Sequence, residues 1–258
     1  MLGTHTRYHV HAPSSHVRYQ YPLDVIRKMI KFIVILMFGI VPFEQDIKQL
    51  KDVCTQLGID HKKIDKRLFK SKIYPLDESI KIYSFAYGSK GNPNDTADLY
   101  VIVYDTKNKI ITVNYCEPEA IVFDTMGPNE IIIDCANYEI KPKSRCFGVR
   151  IDYGNKSWIH YGYEEFRLFE LNELVMKYKS KESRTERFGG CEYTNEIHSS
   201  IFSVDQTHLI NEYYPIIEKQ EYFKVKSNKE CEEEQIKQSF KNILIFDSNK
   251  KQYVLQKE

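Results

Sequence analysis

The sequence predicts a mainly β protein, a sandwich or barrel-like fold with a propeller not excluded, and with one or two short helices towards its N-terminus. Three observations predict this. Residues 98–115 read DLYVIVYD-TKNK-IITVNY, a strand, a polar turn and a strand. Similar runs follow to the C-terminus, separated by turn-forming residues. The chain also holds 19 Tyr and 14 Phe, rings that suit half-buried strands because they pack inward while a hydroxyl reaches water.

In the first strand of that hairpin, Leu99, Val101 and Val103 point one way and Tyr100, Ile102 and Tyr104 the other, since side chains alternate along a strand. Both sets are apolar or amphipathic, which predicts a central strand covered on each side. Residues 105–109 are turn formers, and β-branched residues resume at Ile110.

Taken in order, residues 1–28 differ from all that follows. His5, His9, His11 and His16 fall there with Pro13 and Pro22 and no strand or helix period. Such a tract reads as a disordered or non-native leader; the competing reading is a histidine metal tract. Met29 then opens a segment in which Lys31 precedes an apolar run from Phe32 to Phe43. That run is far shorter than the ~20 residues of a spanning helix and fits a signal peptide over 29–43 read from an internal start, or a buried core segment. The remainder, 44–258, is expected to be one β-rich domain, with no stable transmembrane span after processing.

Within it, Ile47, Leu50, Val53, Cys54 and Leu57 share one helical face before Gly58. The basic residues of 60–72 are expected on a solvated helix face. Strands are expected at 80–87, 120–124, 130–135, 146–153, 165–169, 174–178, 197–204 and 216–225. Residues 230–239 look like a short helix with acids at its head, and 242–247 with 252–255 like a closing hairpin.

Charge and motifs exclude several activities. With 37 basic and 36 acidic residues the formal charge is +1, which gives no field to attract nucleic acid. The loop at 88–95 lacks the spacing of a phosphate cradle or a calcium loop, and no zinc-protease, serine-hydrolase or zinc-deaminase signature occurs. His198 beside Ser199 and Ser200 is no dyad, because adjacent strand residues face opposite ways. No catalytic residue, cofactor or metal ligand set is therefore assigned.

Six cysteines, at 54, 116, 135, 146, 191 and 231, follow the apolar run, and an even count in an exported chain points to disulfides. Cys135 with Cys146, flanking a Lys-Pro turn, and Cys191 with Cys231 are the candidate pairs; buried single thiols are the alternative. The densest local constellation is DYGNKSWIHYGYEEF from residue 152, which holds Tyr153, Trp158, His160, Tyr161 and Tyr163. Stiff aromatic side chains bury much area at small entropic cost, so these five are the candidate recognition residues, unless their rings pack on the sheet.

The text CFGVRIDYGNKSWIHYGYEEFRLFELNELVMKY, with the later GGCEYTNEIHSS, resembles a family of uncharacterised exported bacterial proteins over about 44–258. The resemblance implies an envelope location and a β-rich fold, and carries no catalytic residues. The expectation is an exported, non-catalytic protein-binding module of the bacterial envelope, of inhibitor or immunity type, with a periplasmic or secreted location. The alternatives are an envelope-polymer hydrolase or carbohydrate-binding protein, and a cytoplasmic structural protein.

Overall fold

The computed structural model of the chain describes residues 48–88, 95–123, 127–144, 146–155, 159–171 and 173–256. The histidine-rich leader, the apolar run from Phe32 and Trp158 lie outside these residues.

A helix, α1 (48–57), stops at Gly58, whose φ of +68° suits glycine. Asp60 then caps a 3-10 turn, His61–Lys63, by accepting from the Lys62 N–H. The helix expected over 60–72 does not form. Asp65 instead folds the chain back by accepting from the Arg67 N–H at 2.9 Å, and β1 (Lys70–Tyr74) follows. The physical reason is burial: Leu68 enters one core and Phe69 packs on another, an alternation with the period of an extended chain.

The remaining strands are β2 (Asp77–Tyr87), β3 (Asp95–Asp105), β4 (Ile110–Phe123), β5 (Pro128–Asp134), β6 (Cys146–Gly154), β7 (Ile159–Glu170), β8 (Glu173–Gly189), β9 (Glu192–Val204), β10 (Ile216–Ser227), β11 (Glu233–Asp247) and β12 (Gln252–Leu255). Each pairs with its sequence neighbour in antiparallel fashion, except that the run breaks between β4 and β5. The result is a four-stranded sheet, β1-β2-β3-β4, and an eight-stranded sheet ordered from β12 to β5. Neither closes into a barrel, although the larger sheet brings β12 near β8.

The β3–β4 turn forms because the Asp105 carboxylate accepts from the N–H groups of Lys107 and Asn108 at 2.8 and 2.9 Å. Strand β3 is covered on both sides, as its composition predicts. Leu99, Val101 and Val103 join Ile131, Ile133, Phe147, Val149 and Ile151 in a core between the two sheets. Ile102 and Tyr104 meet Val53 and Cys54 of α1 on the opposite face. A third core lies on the far side of the large sheet, where Phe166, Leu168, Val175 and Met176 pack with Tyr138, Ile140, Ile216, Leu244 and Phe246.

One charged cluster ties the sheets together. Arg167 of β7 has a fully buried side chain, and its Nε donates to Glu117 of β4 at 2.9 Å. Lys177 reaches the same carboxylate at 2.6 Å, and Glu165 lies 2.9 Å from Arg167 Nη2.

The helix expected over 230–239 is overturned: residues 230–232 lie in the turn after β10, and residues 233–239 enter β11, paired with β10 from Ser227↔Glu233 to Ile216↔Leu244. Asn228 forces the reversal by accepting from the N–H groups of Glu230 and Glu232. Ile236 and Phe240 are four residues apart, which places them on one face of a helix and equally on one face of a strand. Tertiary pairing decides between the two.

Candidate functional site

Beyond the cores, β8 to β11 run on as an extension of the large sheet. No residue of β9 is buried, and β11 is exposed from Glu233 to Lys241. On this extension lies an open depression of about 570 Å³, with Tyr161, Lys179, Glu182, His198, Ser200 and Tyr222 among its lining. Register builds it, since Glu182 pairs with His198, His198 with Tyr222, and Tyr222 with Gln238. Directly paired residues share a face and touch: the His198 and Tyr222 rings lie 4.6 Å apart.

At its β7 end the depression is charged. The Tyr161 hydroxyl donates to Glu182, and Lys179 sits 3.3 Å from the same carboxylate with its ammonium 5.9 Å from the Tyr161 ring. The hydrogen bond from Tyr161, then those from Lys179, hold Glu182 below the usual carboxylate range. Glu196 is engaged by Lys224 at 2.5 Å and Glu221 by Lys219 at 2.7 Å. The Lys219 hydrogen bond lowers Glu221 as well. A general acid needs a carboxyl kept protonated near neutral pH; Glu182 and Glu221 are shifted the other way. The arrangement is suited to recognition by rings and fixed charges.

Beneath Ser200 and Gln220 lies a feature the sequence reading missed. Glu218 is fully buried and accepts four hydrogen bonds, from Tyr178 (3.0 Å), Ser200 (2.5 Å), Gln220 (3.0 Å) and Asn242 (3.0 Å). None of the four donors is a cation. The carboxylate joins β8, β9, β10 and β11 at the base of the extension, and the Tyr178 hydroxyl is pushed up to about 12 by burial and by Glu218. No local pattern marks it, since its strand face reads Ile216, Glu218, Gln220, Tyr222 and Lys224, and only the pairing of β10 with β9 and β11 shows that this carboxylate is enclosed.

The five candidate recognition residues separate. Tyr153 is buried and stacks on Tyr163 at 4.4 Å, so this pair serves the inter-sheet core. Gly162 is needed beside them, because a Cβ there would come within 3.0 Å of the Tyr153 carbonyl. His160 is exposed and pairs with Thr185. Tyr161 lines the depression, its N–H fixed by Asn155 Oδ1 at 3.0 Å. Trp158 lies outside the described residues.

The cysteines separate too. Cys191 and Cys231 form a disulfide with Cα atoms 5.3 Å apart, linking the β8–β9 turn to the β10–β11 turn at the far end of the extension. Cys135 and Cys146 do not bridge; both are free thiols, as are Cys54 and Cys116. The register explains why. Asp134 pairs with Gly148, so Cys135 and Cys146 fall in adjacent pairs and face opposite sides of the sheet. Cys135 packs on the inter-sheet core and Cys146 in the far one. Both also touch a second hollow of about 440 Å³, lined by Tyr74, Leu76 and Tyr138. Burial pushes the Cys146 thiol up to about 11 and raises Cys135 as well, which leaves neither as a ready nucleophile.

Among the described residues no group of three His, Cys, Asp or Glu side chains could hold a metal ion, and no helix is long and apolar enough to cross a membrane. The fold and surface define an all-antiparallel two-sheet protein with a disulfide-tipped sheet extension. No protein-family model, curated protein or solved structure matches this chain.

Proposed function

We propose that this chain is a non-catalytic protein-binding module exported to the bacterial envelope, and that it binds through the β8–β11 extension. One observation carries the reading: the chain projects four strands beyond its cores and leaves on them a depression lined by Tyr161, His198 and Tyr222. Rings supported on a sheet lose little entropy when a partner covers them. The disulfide across the two turns supports an oxidising location, since such bonds persist outside the cytosol.

A photo-crosslinking residue at His198 or Tyr222, in protein expressed in its own cells, should give a discrete adduct with a different protein. The same residue at Leu76, which is 73% exposed but remote from the depression, should give none. Equal labelling from both places, or none from either, refutes the reading. Tyr161 and Tyr222 beside Glu182 and Glu196 also supply what a glycan-binding surface uses. Retention on immobilised envelope polysaccharide, lost on Tyr222→Ala, would favour that second reading.

A further inference from the structure

We propose that β11 is the pairing edge of a symmetric dimer, in which two copies of this chain join their eight-stranded sheets into one. This goes beyond the binding reading and does not depend on it. Strand β12 pairs only with residues 244–247 of β11, from Leu244↔Leu255 to Asp247↔Gln252. One further bond, from the Gln256 N–H to the Ile243 carbonyl at 2.8 Å, closes that ladder. From Asn242 back to Glu233, β11 pairs with β10 on one side and with no strand on the other among the described residues.

The outward groups follow by alternation. The Ile243 carbonyl points away from β10, so those of Lys241, Ser239, Lys237 and Gln235 do too, each with its N–H. The intervening residues carry the exposed apolar side chains: Ile236 is 39% and Phe240 53% exposed. Natural edges are commonly guarded by lysine, and here Lys237 and Lys241 act on the choice of register. An antiparallel pair about a two-fold axis at Lys237 sets that lysine opposite its own copy. An axis at Ser239 sets Lys237 opposite Lys241. Like charges directly opposite are unfavourable.

An axis at Gln238 avoids both. It places Ile236 opposite Phe240 twice, Lys237 opposite Ser239, and Gln235 opposite Lys241. The Ile236–Phe240 positions are then non-hydrogen-bonded pairs, the closer kind, where a β-branched residue and a ring pack best. Moving the axis on to Phe240 would run Ile236 against Leu244, which β12 already occupies. Residue pattern and open length therefore select a second copy in one register. Gln238 and Phe240 also line the depression, so the dimer would make the two depressions continuous across the axis.

Sedimentation of the full chain at micromolar concentration should show a dimer. Ser239→Pro should return it to monomer with an unchanged circular dichroism spectrum, because the N–H it removes points outward and the β10 ladder is untouched. Independently, Gln238→Cys in a Cys116→Ser background should form a covalent dimer on mild oxidation, since the axis sets that residue against itself at a Cα separation a disulfide spans. Lys237→Cys should not. A monomer at every concentration overturns the proposal, as does a dimer that survives Ser239→Pro without crosslinking through position 238. A monomer that takes up a foreign extended peptide along β11 also overturns it, by giving the edge a different occupant.

Discussion

Glu117 has more to lose on protonation than the exposed carboxylates. Burial alone would raise its pKa, but hydrogen bonds from Arg167 and Lys177 outweigh that and hold it at about 2, against 4.5 ordinarily. A depressed folded value means the stabilisation is complete above about pH 4.5 and is lost as pH falls towards 2. Its upper size is about 3 kcal/mol. Glu117→Gln should therefore cost about 3 kcal/mol at pH 7 by urea titration, because it leaves the buried Arg167 underpaired. The loss should shrink steadily at pH 3; an unchanged difference there would rule out the ion pair as its cause. Gly148 tests packing at the same scale, since a Cβ would lie 2.3 Å from the Phe166 ring. Gly148→Ala should lower stability by about 1–3 kcal/mol, read as a shift in urea midpoint at constant slope. Neither residue was singled out from sequence. Arg167 reads there as one charge in RLFE, and only pairing between distant strands shows its partner. Of the aromatic constellation, the sequence left a recognition loop and a hairpin with its rings packed on the sheet both open, and the fold divides the residues between them: Tyr153 and Tyr163 turn inward while Tyr161 joins Glu182.

Elements were legible where local pattern and tertiary pairing agree. Strand β3 has two apolar faces and lies between two cores; Gly58 ends α1 where a left-handed residue is wanted. Legibility failed in β11, where the four-residue spacing of Ile236 and Phe240 serves either period and the pairing partner is a separate strand. It also failed at Cys135 and Cys146, whose proximity in sequence says nothing of the sheet faces they occupy. The bond that does form, Cys191–Cys231, closes a separation of 40 residues, and by chain entropy alone such a link is worth about 4 kcal/mol. Its effect belongs to the extension. In a Cys191→Ser/Cys231→Ser variant, amide exchange should accelerate at the two turns and along the adjoining ends of β8 to β11. Protection in β3 and β6 should hold, because their contacts lie in the cores. Uniform loss of protection would mean that the extension and the cores open together.

At the scale of the whole molecule, the three cores are joined by strands that serve two of them at once. Phe147, Val149 and Ile151 of β6 enter the inter-sheet core while Cys146, on the same strand, enters the far one; in β7, Phe169 enters the first and Phe166 and Leu168 the second. The smaller sheet similarly carries the inter-sheet core on one face and the α1 core on the other. No core can open without removing one wall of another, so the body should unfold as one cooperative unit. The free thiols report this directly, since Cys54 lies in the α1 core and Cys146 in the far core, both buried, while Cys116 is exposed. Thiol labelling of the native chain should modify Cys116 rapidly. As urea is added, Cys54 and Cys146 should become reactive over one range of concentration, with a common midpoint. Separate midpoints would show that the sheets form independent folding units, and that the strands shared between cores do not couple them.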